Sequence, residues 1–230
     1  MFDNFWARLW KVLSENYTSL ADGLKYTVII AFCGFALGLF FATIISVITT
    51  PQSQNPKRAQ KIINKIFAVY TWIFRGIPMV VLLLLLYFVF LPELRLDALI
   101  VAIIAFGLYG SAYLTEILRA GIHSIDKGQY EACRASGLGH WCTMRKVILP
   151  QAYKNSIPSI GNILIEMVKE TAVVSFITVI DLTKTVQFII TRTYDAIVPY
   201  ILLAVIYLII VGLLTLLIKF IEKVVFRYGK

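Results

Sequence analysis

Residues 131–150 read EACRASGLGHWCTMRKVILP. Within twenty positions lie Glu131, Arg134, His140, Arg145, Lys146, two glycines and a closing Leu149-Pro150, while long apolar runs flank the stretch on both sides. The flanks decide the fold class. Of the 230 residues, 59% are hydrophobic and 15% charged, and mean hydropathy is +0.80. Soluble domains average roughly 45–50% apolar and about 25% charged residues. A helix that crosses about 30 Å of hydrocarbon at about 1.5 Å per residue needs about 20 apolar residues, and several runs meet that length. The chain therefore reads as an all-α integral membrane protein with a single domain, 1–230.

Outward from the quoted segment, the apolar runs form five predicted spans. The third, 98–118, precedes it, and the fourth, 157–180, follows. The second, 67–91, is interrupted near its start by Arg75-Gly76-Ile77-Pro78, where Pro78 removes a backbone donor and predicts a kink or break. The first, 25–50, is stopped by Pro51 and followed by a polar, basic loop. The fifth covers 196–218. Ahead of them, 1–20 sets Phe2, Phe5, Trp6, Leu9, Trp10 and Leu13 at helical spacing, with Asp3, Arg8 and Lys11 between them. That pattern predicts an amphipathic helix in the membrane interface.

Basic residues fix the orientation. One side holds Lys57, Arg58, Lys61, Lys65, Arg119, Lys127, Arg134, Arg145, Lys146, Lys154, Lys219, Lys223, Arg227 and Lys230. The other holds Arg8, Lys11, Lys25, Arg95, Lys184 and Arg192, diluted by seven acids. The richer side is expected in the cytoplasm, with the N-terminus outside, the C-terminus inside and 119–156 as the longest cytoplasmic segment. Topology thus accounts for the formal charge of +9 without a nucleic acid partner. Three cysteines without CxxC spacing predict neither a disulfide framework nor a zinc site, and His123 and His140 lack partners at metal-ligand spacing. No cleavable signal peptide is expected. No phosphate loop of the GxxxxGK[ST] type and no catalytic constellation stands out, so neither ATPase nor other enzyme activity is expected of this chain.

The segment has its own internal order: Glu131-Ala132-Cys133, three residues, Gly137, nine residues, then Val147-Ile148-Leu149-Pro150. Residues 131–136 are predicted to form a short helix with small residues on one side, suited to a partner's groove. Gly137 permits a turn with φ > 0, and Pro150 is expected to start the return to the membrane. The string resembles the coupling signature of bacterial ATP-binding-cassette importer permeases: Glu-Ala-Ala, three residues, Gly, nine residues, Ile-x-Leu-Pro. Cys133 and Val147 are its departures. LADGLKYT (20–27) resembles the Leu…Gly-x3-Thr of polar amino acid permeases, and Arg75-Gly76-Ile77-Pro78 their Arg-Gly-Thr-Pro. SAYLTEILRAGIHSIDKGQYEA (111–132) and GNILIEMVKETAVVS (161–175) are similar to theirs almost throughout. By this resemblance the chain is identified as a member of the histidine/glutamine-type polar amino acid permeases. Two positions depart from the pattern: Tyr109 where the family often has Asn, and Glu166 where it usually has an uncharged residue.

The resemblance implies a type I importer-permease fold in the bacterial inner membrane, multi-pass and surrounded by lipid. It also implies a second permease chain, identical or paralogous, with the pathway between the two. Two cytoplasmic ATPase subunits, carrying ATP and Mg that this chain does not hold, would grip Glu131, Ala132, Cys133, Gly137, Leu149 and Pro150. An extracytoplasmic binding protein would deliver an amino acid. Asn162, Glu166, Lys169 and Glu170 stand in an otherwise apolar span, where an ionised group costs about 2.5–3.5 kcal/mol, so they are expected to face the interior or water. Asn162, Glu166 and Glu170 share one helical face, and Lys169 is within pairing reach of Glu166. With Thr171 and Tyr113 they form the candidate substrate-binding set, a polar half-site for a zwitterion. The acid left over after pairing predicts a basic amino acid as substrate. A purely structural ion pair is the alternative, and Arg75 is expected to anchor the second span. An ion-coupled secondary transporter, or a channel or scaffold subunit, are the rival functions. Secondary transporters often show inverted repeats and more spans, and neither is visible here.

Overall fold

The computed structural model describes residues 5–50 and 58–227, and these are helical almost throughout. Phe2, Asp3, the Pro51 stop, Lys57 and Lys230 lie outside the described residues. The first helix, α1 (Phe5–Thr49), runs unbroken for 45 residues, about 67 Å at about 1.5 Å per residue. It joins in one rod the stretch expected as an interfacial helix and the expected first span. The reason is local. No proline falls between the two stretches, and Gly23 is a packing position: a Cβ there would lie 2.6 Å from Thr185 Oγ1 and 2.9 Å from the Asp181 carbonyl. That contact seats α1 on α8 (Leu182–Thr193), whose first turn is capped by Asp181. Leu20 packs beside it with Val12, Leu182 and Val186. Thr27 Oγ1 accepts from the Leu182 amide at 3.3 Å. All three fixed positions of the 20–27 motif thus serve one helix junction.

Further along, α1 crosses α4 (Ala98–His123) at close range, because Gly34 and Gly38 leave room for Phe106 and for the Gly110–Ser111 backbone. Phe106, Ile30, Leu83, Leu114 and Met167 form the centre of the main core. The expected second span is broken. It consists of α2 (Arg58–Gly76) and α3 (Met79–Leu85, continued by a wide turn to Phe90), bent by 105° at Ile77-Pro78. The break falls after 19 helical residues, deeper than the sequence pattern places it, because helix already forms over the basic 58–66 stretch.

After α4 come α5 (Lys127–Ala135), α6 (His140–Thr143), α7 (Leu149–Glu170) and, beyond α8, α9 (Ile197–Arg227). Among the described residues α1, α4 and α9 are long and apolar enough to cross a membrane, and the bent α2–α3 pair meets the same test only when its two helices are taken as one span. The helix α7, expected within the fourth span, does not reach that hydropathy: Lys154, Asn155, Asn162, Glu166, Lys169 and Glu170 interrupt its apolar surface. It ends at Glu170 and passes into a tight turn, Thr171–Phe176.

Candidate functional site

Two features stand out, one at the end of α4 and one at the α2–α3 break. At the first, Asp126 caps α5 by accepting from the Gly128 amide at 2.7 Å. The helix ends with Gly137 at φ 79°, and the Gly137 and Leu138 amides donate to Arg134 and Cys133 carbonyls at 3.1 and 3.0 Å. This paired closure needs a residue in the left-handed region, which glycine adopts without a Cβ penalty. Glu131, Ala132 and Gly137 are exposed, Cys133 and Leu149 half-buried. The root of the segment is anchored. Met144, Ile148 and Ala152 pack on Val47 of α1 and Ile122 of α4, with Tyr130 and Leu149 against them. Buried His140 shares a hydrogen bond between Nδ1 and the Tyr130 hydroxyl at 3.0 Å and another with the Val47 backbone.

Pro150, expected to start the return to the membrane, is the second residue of α7, which follows the preceding turn without a break. It has no N–H to offer and its ring crowds the carbonyl four residues back. A widened turn over Met144–Ile148, in which the Leu149 amide reaches the Met144 carbonyl, accommodates it.

The second feature is a cavity of about 360 Å³ at the 105° bend. Arg75 and Pro78 come from the break, Tyr109 and Tyr113 from one face of α4, Glu170 and Val173 from the end of α7. The Arg75 guanidinium lies 5.4 Å from the centre of the Tyr113 ring, and that ring is 4.6 Å from Tyr109. Glu116 holds Arg75 loosely at 3.9 Å and Arg119 at 3.1 Å. Two tyrosine hydroxyls and apolar side chains complete the lining, so the cavity offers one cation, one carboxylate and two phenols. Clefts of about 300–1,000 Å³ with few converging polar groups are typical of small-molecule sites.

Of the residues expected from sequence to touch substrate, Tyr113 and Glu170 line this cavity. Glu166 does not. It sits one turn away and accepts a hydrogen bond from the Tyr109 hydroxyl at 3.0 Å. Asn162 and Lys169 are exposed outside it, and Glu166 and Lys169 form no ion pair among the described residues. Thr171 is buried and donates to the Val168 carbonyl at 2.7 Å, away from the cavity. Arg75, expected to anchor the span, is a wall residue. The signal for it was present: a charge beside a proline break inside an apolar run marks backbone that must face protein or water.

Residues 34–227 match the family described as binding-protein-dependent transport system inner membrane component. The chain is 34% identical over 203 residues to the putative glutamine transport system permease protein GlnP of Rickettsia typhi, covering 87% of this chain and 88% of that one. It is 40% identical over 157 residues to the arginine transport system permease protein ArtQ of Bacillus subtilis, with 67% and 71% covered. Among solved structures it superposes on an amino acid ABC transporter crystallised with histidines, at TM-score 0.78 and 34% identity over 92% of this chain and 96% of that one.

Proposed function

The chain belongs to the family of binding-protein-dependent transport system inner membrane components, and from that premise we propose that it is the permease subunit of an ATP-binding-cassette importer for polar, preferentially basic, amino acids. The observation that carries the reading is the anchored, outward-facing α5, closed by Gly137 at φ 79° and backed by His140. A solvated loop has no need of such a root. The names of the glutamine and arginine relatives support an amino acid as cargo. The cavity supports a zwitterion, with Arg75 opposite Glu170. Glu166 and Glu170, neither neutralised by Lys169, support a cationic side chain over an anionic one.

In this reading the protein lies in the bacterial inner membrane with five spans. The polar α7, flanked by α4 and α9, is the fourth. The N-terminus is outside and the C-terminus inside, and the N-terminal turns of α1 continue the first span through the outer interface. Glu131, Ala132, Cys133, Gly137, Leu149 and Pro150 meet two ATPase subunits, which hold ATP and Mg. A second permease chain, identical or paralogous, completes the pathway, and an external binding protein supplies substrate. Closure of the ATPase pair shifts the population between inward- and outward-facing states.

Tagged protein purified from native membranes tests the coupling directly. An ATPase is expected to accompany the unaltered chain and to be lost with Gly137→Asp, while both variants remain membrane-inserted. Absence of any ATPase from the unaltered chain, even after cross-linking, contradicts the assignment and leaves the ion-coupled transporter. Asn162, Lys169 and Thr171 remain in the proposed substrate set only for a state in which α7 has turned towards the partner chain, and their alanine variants measure that.

A further inference from the structure

Two positions depart from the pattern of the permeases this chain resembles, Tyr109 and Glu166, and the structure joins them. Separated by 57 residues, they meet in one hydrogen bond, with the Tyr109 hydroxyl donating to Glu166 Oε1 at 3.0 Å. Tyr109 is 5% exposed and lines the cavity, while Glu166 stands behind it.

We propose that Tyr109 and Glu166 act as one specificity-determining unit, in which the phenol commits its single proton to the carboxylate and presents only an acceptor to the substrate. This rests on the reading of the cavity as the substrate site. The chemistry follows from the groups. A phenol has one O–H donor and lone pairs that accept, and a carboxylate only accepts. Between them the proton direction is therefore fixed. What remains on Tyr109 is oxygen lone pairs, shared with the neighbouring Tyr113 hydroxyl and made electron-rich by the charge behind them. The ring cannot turn away freely, since it lies on Tyr113, which in turn sits beneath Arg75.

With the substrate carboxylate at Arg75 and its ammonium at Glu170, the side chain meets the Tyr109 oxygen. Side chains that bring an N–H, namely guanidinium, ammonium, imidazole or carboxamide, satisfy that acceptor. A side-chain carboxylate finds no donor on Tyr109 and faces two carboxylates of the same sign. The substrate class is thus amino acids with N–H-bearing side chains, and acidic amino acids are excluded. Charge at Glu166 ranks cationic side chains above amides.

The test is equilibrium binding of L-arginine, L-glutamine and L-glutamate to the purified permease–ATPase complex, without the binding protein so that its own selectivity does not enter. The unaltered complex is expected to prefer arginine and glutamine over glutamate by at least about tenfold, the scale of one hydrogen bond to a charged group. Tyr109→Phe removes the acceptor and is expected to weaken arginine and glutamine by about tenfold while leaving glutamate unchanged. In Glu166→Leu the acceptor is gone and the phenol proton is free to turn to the cavity. Glutamate is then expected within about threefold of glutamine. Binding of glutamate as tight as arginine by the unaltered complex overturns the proposal. An equal loss of all three ligands in both variants also overturns it, since that reports a structural contact only. Arg75→Gln and Glu170→Gln separate the two levels: retention of full binding in both overturns the cavity reading itself. Should Tyr109→Phe fail to assemble with its ATPase, the glutamate gain in Glu166→Leu carries the test alone.

Discussion

His140 sits at the root of the 131–150 segment, and its burial lowers the imidazole below its ordinary value of 6.5. Arg134 adds to that shift, while the hydrogen bond to the Val47 backbone opposes it. With the folded-state value depressed, the loosened segment binds a proton first. Docking is therefore complete above pH 6.5 and is lost as pH falls through the lowered value. Trypsin cleavage after the exposed Arg134 reports this opening. The rate relative to a His140→Gln variant is expected to stay level above pH 6.5 and to climb below it. A level ratio across the acid range means that the imidazole does not hold the segment. At Gly137 the structure met the sequence reading, because a positive φ is a property of one residue and its type announces it. At Glu166 only half was legible. Its cost in an apolar run announced a partner, but Lys169, near in sequence, was the wrong one. The partner is a tyrosine 57 positions away that only the crossing of α4 and α7 brings close.

Helix junctions depend on contacts that no single helix encodes. Gly23→Ala places a Cβ 2.6 Å from Thr185 Oγ1 and 3.0 Å from Leu182 Cα, so α1 and α8 must separate. Overpacking of this kind costs about 1–3 kcal/mol. The thermal midpoint in detergent is expected to fall for Gly23→Ala and to hold for Gly76→Ala, whose Cβ would meet nothing within 4 Å. Equal behaviour of the two variants removes the junction from the account. The same distinction sets what sequence reading reached at this scale. Pro78 announced a break because the missing N–H is local, whereas the 105° angle and the open cavity beside it arise from what α4 and α7 place around it. The continuity of α1 was hidden for the converse reason: its aromatic N-terminal face reads as interfacial, but Val12 and Leu20 on the other face are buried against α8 and α9.

At the scale of the molecule, the proposed topology separates two sites in one labelling experiment. In right-side-out spheroplasts an impermeant maleimide is expected to reach Ser19→Cys, an exposed position in α1, and to spare Cys133 until the membrane is opened. Labelling in the reverse order inverts the orientation. The length of α1 bears on how the two faces communicate. Its C-terminal end touches the 131–150 segment, through Val47 with His140 and Met144. At the other end Arg8 is hydrogen-bonded to Asp195 ahead of α9, and Gly23 is seated on α8. No proline or hinge interrupts the 45 residues between. A helix without a proline break links its two ends in one element. Under the proposed topology, any coupling free energy it carries between a partner on one face and a molecule on the other is the same in both directions.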